Sequence, residues 1–145
     1  MDDRYELHDL VARYSDAVCR RDEPVFAATW AEDALWQLPG MPLTEGRAAI
    51  VALWLGVMER FSCVIQRMNN GTVEISGDNG SGRWYLSEHI VAQDGSVMIN
   101  VGVYQDRYVR RNDVWQFAQR HFSMLYHERH EASDNVVTAP YPALL

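Results

Sequence analysis

The chain has 145 residues, enough for one domain with a sizeable core and too few for two comfortable ones. An apolar fraction of 48%, with 11% aromatics, marks a folded protein and sets disorder aside except at the ends. A formal net charge of −7, with thirteen basic residues scattered along the chain, leaves no electrostatic footprint for nucleic acid or for an anionic membrane.

The longest apolar run, around Ile50 to Met58, is far shorter than a bilayer requires, and Met1 to Arg4 lacks the features of a signal peptide. A soluble, cytoplasmic protein is the expectation. Cys19 and Cys63 sit singly inside apolar patterns, which predicts buried free thiols suited to a reducing compartment. His127 and His130 stand three apart in a charged C-terminal stretch, which reads as a solvated strand end rather than a metal site.

The first element is an amphipathic helix. Leu7, Leu10, Val11, Tyr14, Ala17 and Val18 recur at helical spacing, with Arg4, His8, Asp9, Arg13 and Asp16 opposite. Arg20 to Pro24 breaks it. Asp22 and Pro24 then read as the cap and first turn of a short second helix through Trp30. Ala34 to Leu38 forms a short strand, and Pro39, Gly40 and Pro42 a loop. A third helix is predicted from Thr44 to about Phe61, with Ile50, Leu53, Trp54 and Val57 on its buried side.

The period then changes to two. Four long strands are predicted near residues 62–76, 81–93, 96–110 and 114–127, with turns at Gly77 to Gly80, Asp94-Gly95 and Asn112-Asp113. Helices first and an antiparallel meander afterwards define an α+β layout: a cone-shaped roll in which a strongly curved antiparallel sheet wraps three N-terminal helices. A single domain over residues 1–130 is expected, with residues 131–145 a tail whose Pro140-Tyr141-Pro142 could pack on a neighbouring subunit.

Alternation along the last three strands puts Trp84, Leu86 and Glu88, then Asn100, Gly102 and Tyr104, then Ala118, Arg120 and Phe122 on one face. An acid, an amide, a phenol and a guanidinium on an otherwise apolar face predict a pocket for a small organic molecule. An inward Glu88 must be paired with a cation or have its pKa raised by desolvation, and Arg120, two strands away, is its natural partner. That pair is either a structural salt bridge or a poised acid or base beside an anion holder. Gln66 and Asn100 are candidates to orient a substrate carbonyl or to satisfy the sheet. Trp36, Trp54, Trp84 and Tyr104 form core or pocket wall. Asp106, Arg107, Arg110 and Arg111 run along a hairpin end and read as a solvated charged edge or a subunit contact.

In this order of elements, Arg13-Tyr-Ser-Asp-Ala, Trp30-Ala-Glu-Asp-Ala-Leu-Trp, Glu45-Gly-Arg, Gly82-Arg-Trp-Tyr-Leu and Tyr104 to Arg111 before Trp115 resemble the SnoaL-like branch of the nuclear transport factor 2 superfamily. The likeness spans residues 5 to 127. Within that branch it is similar in pattern to scytalone dehydratase, bile-acid 7α-dehydratase and hexachlorocyclohexane dehydrochlorinase. Those enzymes use a strand histidine as general base, oriented by an aspartate near the end of the first helix. Gln66 stands where the resemblance implies the histidine and Cys19 where it implies the aspartate, so both halves of that dyad are replaced. The resemblance carries over Tyr14 as a substrate-polarising tyrosine, Glu88 as a strand carboxylate and Arg120 as a pocket arginine. It also implies a homo-oligomer, a dimer or a trimer.

Two functions follow as expectations. One is a small enzyme without cofactor or metal, moving protons on a hydrophobic oxygenated ring compound in dehydration, isomerisation or cyclisation. Glu88, Tyr14 and Arg120 would be catalytic, and Gln66, Asn100, Trp84, Leu86, Tyr104, Phe122, Cys19 and Trp36 would bind substrate. The other is a noncatalytic ligand-binding module, or a partner like the small subunit of ring-hydroxylating dioxygenases.

Overall fold

The computed structural model describes residues 2–143. Helix α1 (Asp3–Arg20) is capped by Asp2, whose side chain accepts from the Arg4 backbone N–H at 2.9 Å, and Asp3 and Glu6 complement the positive end of its dipole. It ends where Arg21 turns left-handed at φ 55° and donates its backbone N–H back to Ala17 and Val18. Helix α2 (Glu23–Ala28) starts on Asp22, which accepts from the Val25 N–H, with Pro24 in its first turn. Asp22 therefore serves as a cap.

Strand β1 (Trp30–Gln37) begins at Trp30, earlier than the sequence suggested, and β2 (Thr44–Glu45) folds back on it. The helix expected from Thr44 accordingly starts later, as α3 (Arg47–Met58), burying Ile50, Trp54 and Met58. Four long strands follow: β3 (Phe61–Ser76), β4 (Asn79–Ala92), β5 (Val97–Arg111) and β6 (Val114–His130).

The sheet runs β2-β1-β6-β5-β4-β3 and is not closed. The last four strands form the expected meander, but β1 joins β6 in parallel, pairing Trp36 with Arg120. Sequence pattern could not show this pairing, because β1 and β6 lie at opposite ends of the chain. The strands wrap over the three helices to give the α+β cone.

Curvature comes from irregular register. Between β5 and β6, pairing shifts once at Val101/Gly102, which leaves Leu125 unpaired, and again at Arg107/Tyr108, which leaves Ala118 unpaired. Each extra residue bends its strand and reverses the faces beyond it. Phe117 and Trp115, not Ala118, therefore point into the core, with Phe117 fully buried.

The core is aromatic on the helical side. Phe26 stacks on Trp54 with centroids 4.0 Å apart, and Tyr14, Trp30, Trp36 and Phe117 close around them edge to face. Cys19 and Cys63 are free thiols, half-buried rather than fully buried. Beyond His130 the described residues are irregular and exposed, and Ala139 to Pro142 border a groove against α1 and β3 of their own chain. No helix among the described residues is long and apolar enough to cross a membrane.

Candidate active site

A cavity of about 370 Å³ lies between the concave face of the sheet and the helices. Tyr14 and Val18 of α1, Trp36 of β1 and Trp54, Val57 and Met58 of α3 form one side. Gln66, Glu88, Ile90, Met98, Asn100, Tyr104, Phe122 and Met124 form the sheet side. The wall is mostly apolar, and its polar groups fall into two sets.

The first set is a row across four strands. Pairing places Gln66 opposite Glu88, Glu88 opposite Asn100 and Asn100 opposite His127. Their side chains connect in the same order. Gln66 Nε2 donates to Glu88 Oε2 at 3.3 Å, Asn100 Nδ2 donates to Glu88 Oε1 at 3.0 Å, and Asn100 Oδ1 lies 2.6 Å from His127 Nδ1. Glu88 is half-buried, while Gln66 and Asn100 are buried. Gln66 Oε1 is buried and has no hydrogen-bond partner among the described residues, so an acceptor is left over at one end of the row.

The second set also borders the cavity. The Tyr14 and Tyr104 hydroxyls are 3.3 Å apart, and Trp36 Nε1 donates to Tyr104. Two phenols bring two protons, and the bond between them uses one. One hydroxyl proton therefore remains for another acceptor. Burial raises the pKa of both phenols, and raises Tyr14 well above the ordinary value, so they are donors at any physiological pH.

Arg120 does not pair with Glu88. It forms a two-pronged bond with Asp106, Nε to Oδ1 at 2.8 Å and Nη2 to Oδ2 at 3.0 Å, with both side chains fully buried. The two acids lie on one face but far apart along it. Glu88 sits opposite Asn100 and Arg120 opposite Asp106, and six residues of strand separate those positions by about 20 Å. Asp106 is thus no solvated edge. The Tyr108 hydroxyl donates to Asp106 Oδ2 at 3.0 Å and itself accepts from Trp84 Nε1 at 2.8 Å.

Arg120 lies behind the cavity wall, its Cζ 3.7 Å from the Tyr104 ring centroid and 4.5 Å from that of Tyr14. Burial opposes its charge, but the Asp106 carboxylate and the two phenols outweigh this and keep it a cation. Burial also pushes the Asp106 carboxyl upward, against the pull of Arg120 and the Tyr108 hydroxyl.

Of the sequence-predicted residues, Glu88, Tyr14, Gln66, Asn100, Tyr104, Phe122 and Trp36 line the cavity. Arg120, Trp84, Leu86 and Cys19 do not. Trp84 is tied to Tyr108, beside the His8 ring, and Leu86 is fully buried. Cys19 borders the groove on the other side of α1 and β3, where its Sγ donates to the Gln66 carbonyl and accepts the Gln66 backbone N–H, both at 3.3 Å. The two positions matched to the family's dyad are therefore neighbours, but through backbone alone.

His127 was missed. Strict alternation from Phe122 leads to Met124 and Tyr126, which would put Tyr126 opposite Asn100. The extra residue Leu125 puts His127 there instead. No pattern at positions 122–127 announces the bulge.

An open, curved sheet wrapped over helices with a cavity on its concave side defines the nuclear transport factor 2-like superfamily. Within it, the chain belongs to the SnoaL-like domain family, whose model matches residues 1–121. Gamma-hexachlorocyclohexane dehydrochlorinase of Sphingobium indicum is 30% identical over 121 residues, covering 81% of this chain and 77% of that protein. The crystal structure of LinA-type3, a hexachlorocyclohexane dehydrochlorinase of Novosphingobium barchaimii, superimposes with a TM-score of 0.84. It is 24% identical and covers 96% of this chain and 95% of that one. A structure assigned as a scytalone dehydratase of Novosphingobium aromaticivorans gives a TM-score of 0.80 at 18% identity, over 97% of this chain and 92% of that one.

Proposed function

We propose that the protein is a small lyase or isomerase that moves a proton on a hydrophobic, oxygenated ring compound, with Glu88 as base. The observation that carries this reading is a carboxylate held by two neutral amides on the wall of an apolar cavity that is also lined by a phenol pair with one hydroxyl proton to give. Glu88 is bound by no guanidinium and reaches the cavity, which is the placement a general base needs.

With a carbonyl substrate, Glu88 removes a proton from the adjacent carbon, and the C–H electron pair moves into the enolate. The oxygen that gains charge takes the spare phenol proton as a hydrogen bond, strengthened by the Arg120 cation behind the rings. The enolate then expels a leaving group from the next carbon, or takes the proton back elsewhere from the protonated Glu88. The first course is elimination and the second isomerisation. The first is the kind of reaction that the names of the dehydrochlorinase and dehydratase relatives give.

The test is turnover of a panel of cyclic ketones, with and without a hydroxyl or halide on the carbon next but one to the carbonyl. Glu88→Gln should lower turnover of any confirmed substrate by about 10²- to 10⁴-fold. Undiminished turnover by that variant removes the reading.

The replacement of both dyad residues, Gln66 and Cys19, favours a second reading as a noncatalytic ligand binder. In that case the same panel binds without being converted. A homo-oligomer is also proposed, with the exposed Leu125 and Tyr126 of β6 among its contacts. A monomer by light scattering removes that part.

A further inference from the structure

We infer that His127 is a positioning residue of this site: it fixes the Asn100 carboxamide, and through it the Glu88 carboxylate, by presenting a protonated Nδ1. The inference rests on the proposed role of Glu88 only for its effect on turnover.

The chain of reasoning starts at Glu88. A carboxylate accepts hydrogen bonds and donates none, so the Asn100 atom 3.0 Å from Oε1 must be the NH2 nitrogen. The same logic assigns Nε2 of Gln66 to Oε2. With its NH2 committed, Asn100 turns its oxygen to His127, 2.6 Å from Nδ1. A carbonyl oxygen so close to a ring nitrogen requires that nitrogen to carry the hydrogen. The donors therefore run one way, from His127 to Asn100 to Glu88, and Nε2 of His127 is left outside the chain.

Asn100 is buried and His127 exposed. Without the imidazole, the carboxamide can flip, because its oxygen has water or nothing to face. A flipped Asn100 points oxygen at carboxylate, which repels Glu88 from its place at the cavity wall. The bulge at Leu125 is what brings an imidazole, rather than the Tyr126 phenol, into register with Asn100. His127 does not line the cavity, so it acts through Asn100 and does not touch substrate.

The test has two arms on the intact protein. Long-range proton–nitrogen NMR of the ¹⁵N-labelled chain at about pH 8, above the ordinary histidine range, should show His127 protonated at Nδ1, and Asn100→Leu should abolish that preference. A wild-type ring with Nδ1 unprotonated overturns the inference, whatever the enzyme does.

In the second arm, His127→Ala should lower kcat by about 2- to 10-fold, the worth of one net hydrogen bond, with KM little changed. His127→Gln, which can offer an amide N–H in place of Nδ1–H, should recover most of the loss. Wild-type kcat in the alanine variant, or an equal defect in both, overturns it. Active Glu88→Gln beside a protonated Nδ1 would instead fail the proposed function and leave the geometry standing.

Discussion

The two acidic residues on the concave face, Asp106 and Glu88, are held in opposite ways. Asp106 is fully buried, grips a guanidinium through two bonds and accepts a third from Tyr108. Glu88 is half-buried, receives only neutral amides and borders open space. The ion pair is dry and two-pronged although Arg120 Nη1 is buried without a partner among the described residues, and breaking it leaves a stranded ion. Glu88 has no such counter-ion, and its carboxylate borders the cavity. The contrast separates a group locked into the core from the one proposed as the base.

Exchanging the readouts of the two sites sharpens that separation. Asp106→Ala, which strands Arg120 in the core, should cost about 3–5 kcal/mol in urea unfolding. Adding Arg120→Met to Asp106→Leu should restore part of the loss, since no unpaired charge remains. Additive losses in that double variant would mean the two groups do not act as a pair.

Gly82 tests the same network by shape. A Cβ there would collide with the Tyr108 hydroxyl, the link between Trp84 and Asp106. Gly82→Ala should therefore cost about 1–3 kcal/mol, and an unchanged unfolding midpoint would show that Tyr108 has another position available. Glu88→Gln should cost about 1 kcal/mol or less, one imperfectly satisfied hydrogen bond. A loss as large as that of Asp106→Ala would erase the distinction between the two acids.

The fold and most of the site were legible in the sequence because they rest on period. The stripe of Leu7, Leu10, Tyr14 and Val18 and the alternation of Glu88 with Asn100 and Tyr104 each follow from local geometry. The misreadings share one cause. Pairing Glu88 with Arg120 used the face but not the distance along it, and distance needs register. Ala118 was placed inward because it sits at a one-residue bulge, and the place of His127 opposite Asn100 was hidden because it lies beyond another, where a bulge inverts every later assignment. The parallel seat of β1 beside β6 is a contact between distant segments, to which no periodicity testifies. Asp106 looked like an edge charge because its neighbours Arg107, Arg110 and Arg111 are charged. The pleat distinguishes it from Arg107 and Arg111, while Arg110 shares its face but sits near the end of the strand, paired with Asp3 and Asp78.

The smallest effect bears on both regions together. Tyr14 and Tyr104 at the cavity and Tyr108 in the ion-pair network all have pKa values raised by burial from the ordinary value of 10.0. In the unfolded chain these phenols ionise in the usual range, while in the folded chain they stay protonated. The folded state therefore holds more protons as pH rises through 10. The stability due to these groups is fully present below that value and is lost above it.

Between about pH 8 and pH 10 the loss should be about 0.4 kcal/mol per phenol, read as a falling midpoint of thermal unfolding. Tyr14→Phe and Tyr108→Phe should each flatten the fall by removing one of the three buried phenols, the exposed Tyr126, raised by its bond to Glu128, contributing alike in every variant. If Tyr14→Phe leaves the slope unchanged while Tyr108→Phe reduces it, the cavity phenols are hydrated and titrate as they do in water. The spare hydroxyl proton would then meet solvent instead of staying free for the acceptor proposed in the cavity.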